Sequence, residues 1–165
     1  MKTTLLGLAF LFTATTVLAD SPDSTFYKNA AEGGMSEVEL GQLAQQKGTN
    51  PAVKEFGAMM IKDHSEANEK LKTLAASKQV KLPESPSVMQ KASKTKLDMM
   101  SGDSFDKSYV KGMIDDHKTD IKLFQKEASE GKDPQAKSFA AATLPTLQAH
   151  LQKIQSIAAA AGIKD

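Results

Sequence analysis

The chain has 165 residues, 21 basic side chains against 20 acidic ones, 40% hydrophobic residues, and neither cysteine nor tryptophan, which describes one globular domain. The missing cysteines exclude disulfides, thiolate metal sites, thiol nucleophiles and N-terminal lipidation. Every basic residue is lysine, so the guanidinium fork that grips phosphate and guanine is absent and nucleic-acid binding is not expected.

Residues 1–19 read as a cleaved secretory signal peptide. Met1-Lys2 is a short positive start, Leu5 to Val17 is an apolar run, and Val17-Leu18-Ala19 sets small residues at a cleavage site. The run falls short of the roughly 20 apolar residues that a spanning helix needs, so the mature chain is expected to carry no transmembrane segment. Cleavage after Ala19 leaves residues 20–165 as a single domain, and the loss of Lys2 leaves that domain electrically balanced.

Only helix signals follow. Ser21-Pro22-Asp23-Ser24 reads as a leader, and Thr25 to about Gln46 as a first helix with Phe26, Ala30, Leu40 and Ala44 on one stripe and Gly33-Gly34 as a thin spot. Gly48 closes it, Asn50 caps a second helix, and Pro51 occupies the first position, where a missing N–H costs nothing. That helix extends to about Lys78 with Val53, Phe56, Met60, Leu71, Leu74 and Ala75 aligned. In the connector between Gln79 and Asp103, Pro83 and Pro86 interrupt helix formation, and Ser87 to about Met100 forms a short helix stopped by Gly102.

A third long helix spans about Ser104 to Glu130, with Phe105, Tyr109, Met113, Ile121, Phe124 and Ala128 on one side and Gly131 after it. The fourth starts at an Asp133-Pro134 cap and continues to about Ala161 through Phe139, Leu147, Leu151, Ile154 and Ile157. Pro145 lies inside it and is expected to kink or briefly break it, freeing the carbonyl of Ala141. The expected fold class is all-α: a four-helix bundle with a short extra helix in the long connection between helices 2 and 3, and a possible crossover there.

All three histidines fall on apolar stripes. His64 follows Met60 by one turn, His117 lies between Met113 and Ile121, and His150 lies between Leu147 and Ile154. The first helix offers Glu37 at the corresponding inward position, between Ala30 and Leu40. At about 1.5 Å per residue these four side chains stand about 15 to 20 Å from one end of a crossed-over bundle, within about one turn of each other. An up-down-up-down bundle would also bring them close, so the heights support a shared layer without fixing the topology.

A lone inward histidine is more often a hydrogen-bonded core residue than a ligand. Four inward polar side chains, one per long helix, are harder to reconcile with a plain core, because a buried imidazole cluster needs partners for its nitrogens. Glu37, His64, His117 and His150 are therefore the candidate metal ligands, a His₃Glu set suited to a divalent transition metal such as Zn²⁺, Fe²⁺, Mn²⁺ or Cu²⁺. Asn68 and Asp120 lie one turn beyond His64 and His117 and are candidates to orient those rings. Asp63 and Asp116 precede the two histidines, point about 100° away, and suit helix–helix hydrogen bonds or solvated charge. The methionines, including Met59-Met60 and Met99-Met100, read as core filler rather than as a copper box. Phe56 with Met60 to His64 matches Tyr109 with Met113 to His117 at an offset of 53 residues, a candidate internal repeat.

The stretches Ala30-Ala31-Glu32-Gly33-Gly34-Met35-Ser36-Glu37-Val38-Glu39-Leu40-Gly41, Lys62-Asp63-His64, Ser101-Gly102-Asp103-Ser104-Phe105-Asp106, Asp116-His117 and Leu144-Pro145-Thr146-Leu147 with His150 resemble a bacterial exported ferritin-like family of unknown function whose members often carry an outer-membrane label. The resemblance runs from about Phe26 to Ile157. It implies a ferritin-like bundle, a periplasmic setting and inward Glu37, His64, His117 and His150, and it supplies no activity. The outer-membrane label fits poorly with a chain that has no alternating strands and no lipidation cysteine. The chain also departs from the di-iron ferritin pattern of Glu-x-x-His on two helices, since Ile61 and Leu147 stand three before His64 and His150. A mononuclear His₃Glu site is expected instead of a di-iron ferroxidase centre, with no catalytic residue assignable. The alternative is a metal-free structural or stress-related envelope protein whose inward His and Glu form a hydrogen-bonded layer.

Overall fold

A computed structural model describes residues 22–163; the predicted signal peptide and its cleavage site lie outside the described residues. Five helices follow in order: α1 (Pro22–Lys47), α2 (Pro51–Ser77), α3 (Val88–Asp98), α4 (Gly102–Glu130) and α5 (Pro134–Ala160). The caps form where the sequence placed them. Asn50 accepts from the Ala52 N–H ahead of α2, and Asp133 accepts from the Gln135 N–H ahead of α5, each with proline next in the chain. Ser87 and Gln90 make a reciprocal capping box on α3.

Three expectations need correcting. Residues 22–24 are not a leader but the first turn of α1, where the buried Asp23 accepts a 2.7 Å hydrogen bond from the Lys132 N–H. The short helix ends at Asp98, and Gly102, with φ of 58°, opens α4 instead of stopping α3. Pro145 does not break α5, which is continuous through it; Pro145 and Ala141 one turn earlier are both exposed, so the freed carbonyl lies on the solvent side.

The apolar stripes meet in two clusters that fix the direction of every helix. One gathers Leu40 and Ala44 from late α1, Phe56 and Met60 from early α2, Phe105 and Tyr109 from early α4, and Ile154 and Ile157 from late α5. The other gathers Phe26 and Ala30, Leu71 and Ala75, Phe124, and Ala140 and Leu147 from the opposite ends. Helices α2 and α4 thus run the same way, and the connector between them returns along the whole bundle. This is the single long crossover of ferritin-like bundles, a choice left open by the heights along the helices. Helix α3 rides on that connector and packs on α1 and α4, where Lys94 reaches Glu39 at 2.9 Å and Lys47 reaches Asp98 at 2.7 Å.

Each helical hairpin is held by an aspartate from the other. Asp106 of α4 accepts from the backbone N–H groups of Thr49 and Asn50 and from the Thr49 hydroxyl, and Asp23 of α1 holds the turn after α4. Asp23 and Asp106 are 83 positions apart, as are Phe26 and Tyr109, Gly48 and Gly131, Asn50 and Asp133, Pro51 and Pro134, and Phe56 and Phe139. The repeated unit is therefore the α1–α2 hairpin against the α4–α5 hairpin. The shorter match at 53 residues relates α2 to α4, which run in parallel.

Within the first hairpin α1 and α2 approach backbone to backbone. A Cβ on Gly57 would lie 2.7 Å from the Gly41 carbonyl oxygen and 2.9 Å from Ala44 Cβ, and a Cβ on Gly41 would lie 2.6 Å from the Gly57 carbonyl oxygen. Gly57→Ala should destabilise the protein by about 1–3 kcal/mol through overpacking, read as a lower urea midpoint. At the far end, Glu127 is buried, its Oε1 lacks a hydrogen bond, and burial together with Asp23 raises its pKa to about 7. Because the folded value exceeds the unfolded one, Glu127's contribution is complete below about pH 4.5 and is lost as pH rises through about 7. Glu127→Gln should therefore gain stability on the wild type as pH rises from 5 to 8, measured by urea unfolding at each pH.

Candidate metal centre

Between the two apolar clusters lies a polar layer. Glu37 is 1% exposed, His64 6%, His117 0% and His150 2%, so all four expected side chains are inward. The four helices bring together what lies far apart in sequence, because each of the four side chains sits near the middle of its helix, α1, α2, α4 or α5. One ring nitrogen from each of His64, His117 and His150 falls within 4.8 Å of the others, a cluster able to hold a metal ion. Glu37 joins from α1, its Oε2 2.6 Å from His64 Nε2 and its Oε1 3.2 Å from His117 Nδ1.

Two outer contacts set the protonation of the inner nitrogens. The Met113 carbonyl can only accept, so His117 Nδ1, 2.8 Å away, carries a proton and donates it. Burial works against the Asp63 carboxylate, but hydrogen bonds from His150 and Lys62 outweigh it and hold its pKa low. Ionised Asp63 accepts from His150 Nε2–H at 2.9 Å. Both rings are then left with a lone pair on the remaining nitrogen, and His117 Nε2 faces His150 Nδ1 at 3.4 Å. Two facing acceptors repel unless a cation or proton lies between them.

Burial makes the protonated state costly. Desolvation lowers the pKa of His64 to about 4 and lowers those of His117 and His150. Desolvation also raises Glu37 to about 7, with His117 acting to lower it and Asp116 to raise it further. Both carboxylate oxygens of Glu37 and the Nε2 of His64 lack an aligned hydrogen bond despite their short contact. The layer thus contains unsatisfied buried acceptors converging where a metal ion would supply the missing positive charge. The residues fit such an ion: imidazoles with orienting partners, and one carboxylate to offset charge.

The orienting residues differ from those expected. Asn68 packs its Oδ1 where a Cβ on Gly34 would sit, 2.0 Å away, and Asp120 lies beside Gly33. The Gly33-Gly34 pair, a weak point for helix propensity, is what lets α2 and α4 close on α1. Asp120 acts electrostatically on His64 rather than on the His117 of its own helix, and burial raises its pKa well above the ordinary value. The partner of His150 is Asp63, across the α2–α5 seam. The offset of Asp63 from the ligand face already suits it to a helix–helix hydrogen bond, but its partner is not legible in the sequence, because the bond joins residues 87 positions apart.

A family model described as a domain of unknown function (DUF4142) matches residues 12–157. The chain belongs to the DUF4142 family. No curated protein matches the sequence significantly. Solved structures with a similar fold include a DUF305 protein from Streptomyces coelicolor described as secreted, with TM-score 0.75, 13% identity, and 89% of this chain and 98% of that one covered. A DUF305 fragment from Deinococcus radiodurans is similar with TM-score 0.72 and 10% identity, covering 84% of this chain and 96% of that one. CopM in its Cu(I)-bound form is similar with TM-score 0.70 and 14% identity over the same shares. At these identities the likeness concerns the fold.

In the metal-free DUF4142 protein, nitrogen-detected NMR should find His117 in the Nδ1–H tautomer and His150 in the Nε2–H tautomer. His64 should stay neutral down to about pH 4. Because its folded pKa lies below its unfolded one, the unfolded chain takes up the proton first, and stability should fall as pH drops from about 6.5 to 4. A His64 that titrates near 6.5 would contradict the burial of this layer.

Proposed function

We propose that this protein is an exported, periplasmic helical bundle that binds a divalent transition metal through His64, His117 and His150, with Glu37 as the fourth protein ligand. The observation that carries the reading is the pair of lone-pair nitrogens, His117 Nε2 and His150 Nδ1, 3.4 Å apart with their other ring nitrogens committed to the Met113 carbonyl and Asp63. Such a pair suits a shared cation, and desolvation disfavours a proton as that cation. The contact between His64 Nε2 and Glu37 Oε2, close but not aligned as a hydrogen bond, suits two groups directed at a common ion. Carboxylate–histidine–metal relays of the Asp63–His150 kind raise ligand basicity and fix ring orientation.

Zn²⁺, Fe²⁺, Mn²⁺ and Cu²⁺ all suit imidazole and carboxylate donors, and the similarity to a Cu(I)-bound protein adds Cu⁺ to the ions to be tested. The three histidines and one carboxylate favour a mononuclear site over a carboxylate-rich di-iron centre. Export is supported by the signal-peptide pattern of residues 1–19 and by the secreted description of a structural neighbour.

Elemental analysis of untagged protein purified from the periplasm tests the reading. About one ion per chain is expected in the wild type, lost in His64→Ala, His117→Ala and His150→Ala and weakened in Glu37→Ala. Absence of metal after challenge with Zn²⁺, Fe²⁺, Mn²⁺, Cu²⁺ and Cu⁺ would overturn it and leave the layer as metal-free architecture, in which these substitutions change stability alone.

A further inference from the structure

The buried layer needs a route to solvent, and of the four seams around it that between α2 and α5 is the least packed; the larger cleft along α1, α2 and the connector reaches none of the layer's four side chains. Gly41 and Gly57 bring α1 and α2 into backbone contact. The α4–α5 hairpin is densely packed, and α3 covers the seam between α1 and α4. The α2–α5 seam is different. Its two helices touch sparsely, and α5 sets the short side chains of Ala142, Thr143, Thr146 and Ala149 along it beside Phe139, Leu147 and Lys153. Two clefts open along it, of about 510 and 220 Å³. His150 and Asp63 line both, and His64 lines the smaller. Their side chains cross the seam as a single bar, His150 Nε2–H donating to Asp63 Oδ2 at 2.9 Å. Of this pair the His150 side chain is 3% exposed and that of Asp63 24%.

We infer that the α2–α5 seam is the port through which the metal ion enters and leaves the histidine layer, and that Asp63 is its positioning residue, the outermost group directly bonded to a proposed ligand. The inference rests on the metal-binding reading above. An ion arriving from solvent meets the partly exposed Asp63 carboxylate before any histidine, and exchange at that carboxylate hands it to the rings behind. Charge at the mouth is balanced, since Glu55, Asp63 and Glu66 face Lys62, Lys70 and Lys153, and Lys62 already pairs with Asp63 and Glu66 at 3.1 and 3.4 Å. Capture therefore depends on ligand exchange at short range rather than on long-range attraction, and the loading rate should respond only weakly to salt.

The absence of cysteine makes the port testable in the folded protein. A single cysteine is introduced at Thr146, on the rim of both clefts, or as a control at Val88, which is 86% exposed on α3. After folding, each is capped with either a methyl disulfide or a bulky maleimide dye. The probe ion is whichever of Zn²⁺, Fe²⁺, Mn²⁺, Cu²⁺ and Cu⁺ the wild type retains, and its extraction by excess chelator is followed by stopped flow. The bulky cap at Thr146→Cys should slow loading and extraction by about tenfold or more relative to the small cap, with unchanged metal content and no effect at Val88→Cys. Asp63→Asn should change loading and extraction rates and weaken affinity by about 10- to 100-fold. Equal rates for the two caps at Thr146→Cys, or equal slowing at Val88→Cys, would overturn the port while leaving the metal site standing. A wild type that retains none of Zn²⁺, Fe²⁺, Mn²⁺, Cu²⁺ and Cu⁺ would overturn both.

Discussion

The whole bundle is organised around the cost of burying a carboxylate and three imidazoles in the middle of an apolar core. A single charge moved into such surroundings costs several kcal/mol unless it is paired, and hydrogen bonds at the rim of the layer offset part of that cost. The Met113 carbonyl and Asp63 satisfy one nitrogen each on His117 and His150. Both oxygens of Glu37 and His64 Nε2 remain unsatisfied within the chain, and the inner nitrogens of His117 and His150 face only each other at 3.4 Å, an arrangement that could hold a cation. A metal ion would couple folding and binding, since it would add cohesion where the two apolar clusters cannot.

Stability and site placement are therefore divided between different parts of the molecule. The apolar clusters at the two ends carry the hydrophobic burial and set helix direction. The aspartates at the hairpin turns, Asp23 and Asp106, lock each hairpin to the other. The glycines at Gly33-Gly34, Gly41 and Gly57 cost helix propensity but permit close approach, so that side chains from four helices reach one point. The two hairpins match at a separation of 83 residues in their caps and anchors, yet the ligand candidates do not follow that symmetry: Glu37 corresponds to Asp120, and His64 to Leu147. The scaffold is twofold and the site is not, which suits a single ion with unlike donors.

The seam between α2 and α5 shows the same division. The helices touch sparsely there, and the Asp63–His150 bond crosses it. Helix α3 covers the opposite seam, so the crossover both sets the bundle's topology and leaves one side of the layer open.

The sequence by itself determined the helices, their caps, the polarity of their faces and the inward direction of Glu37, His64, His117 and His150, because these depend on 3.6-residue periodicity and on cap chemistry within a few residues. It also showed that no thiolate or arginine chemistry is available. The tertiary structure alone decided the crossover, because both topologies place mid-helix residues at similar heights. It alone paired His150 with Asp63 and set Asn68 against Gly34, contacts between helices that local spacing cannot rank. It moved Pro22–Ser24 and Gly102 into helices, since Asp23 finds its partner only in the turn after α4. The boundary between the two kinds of knowledge is physical: periodicity fixes which face a residue occupies, and packing between distant segments fixes what that face meets.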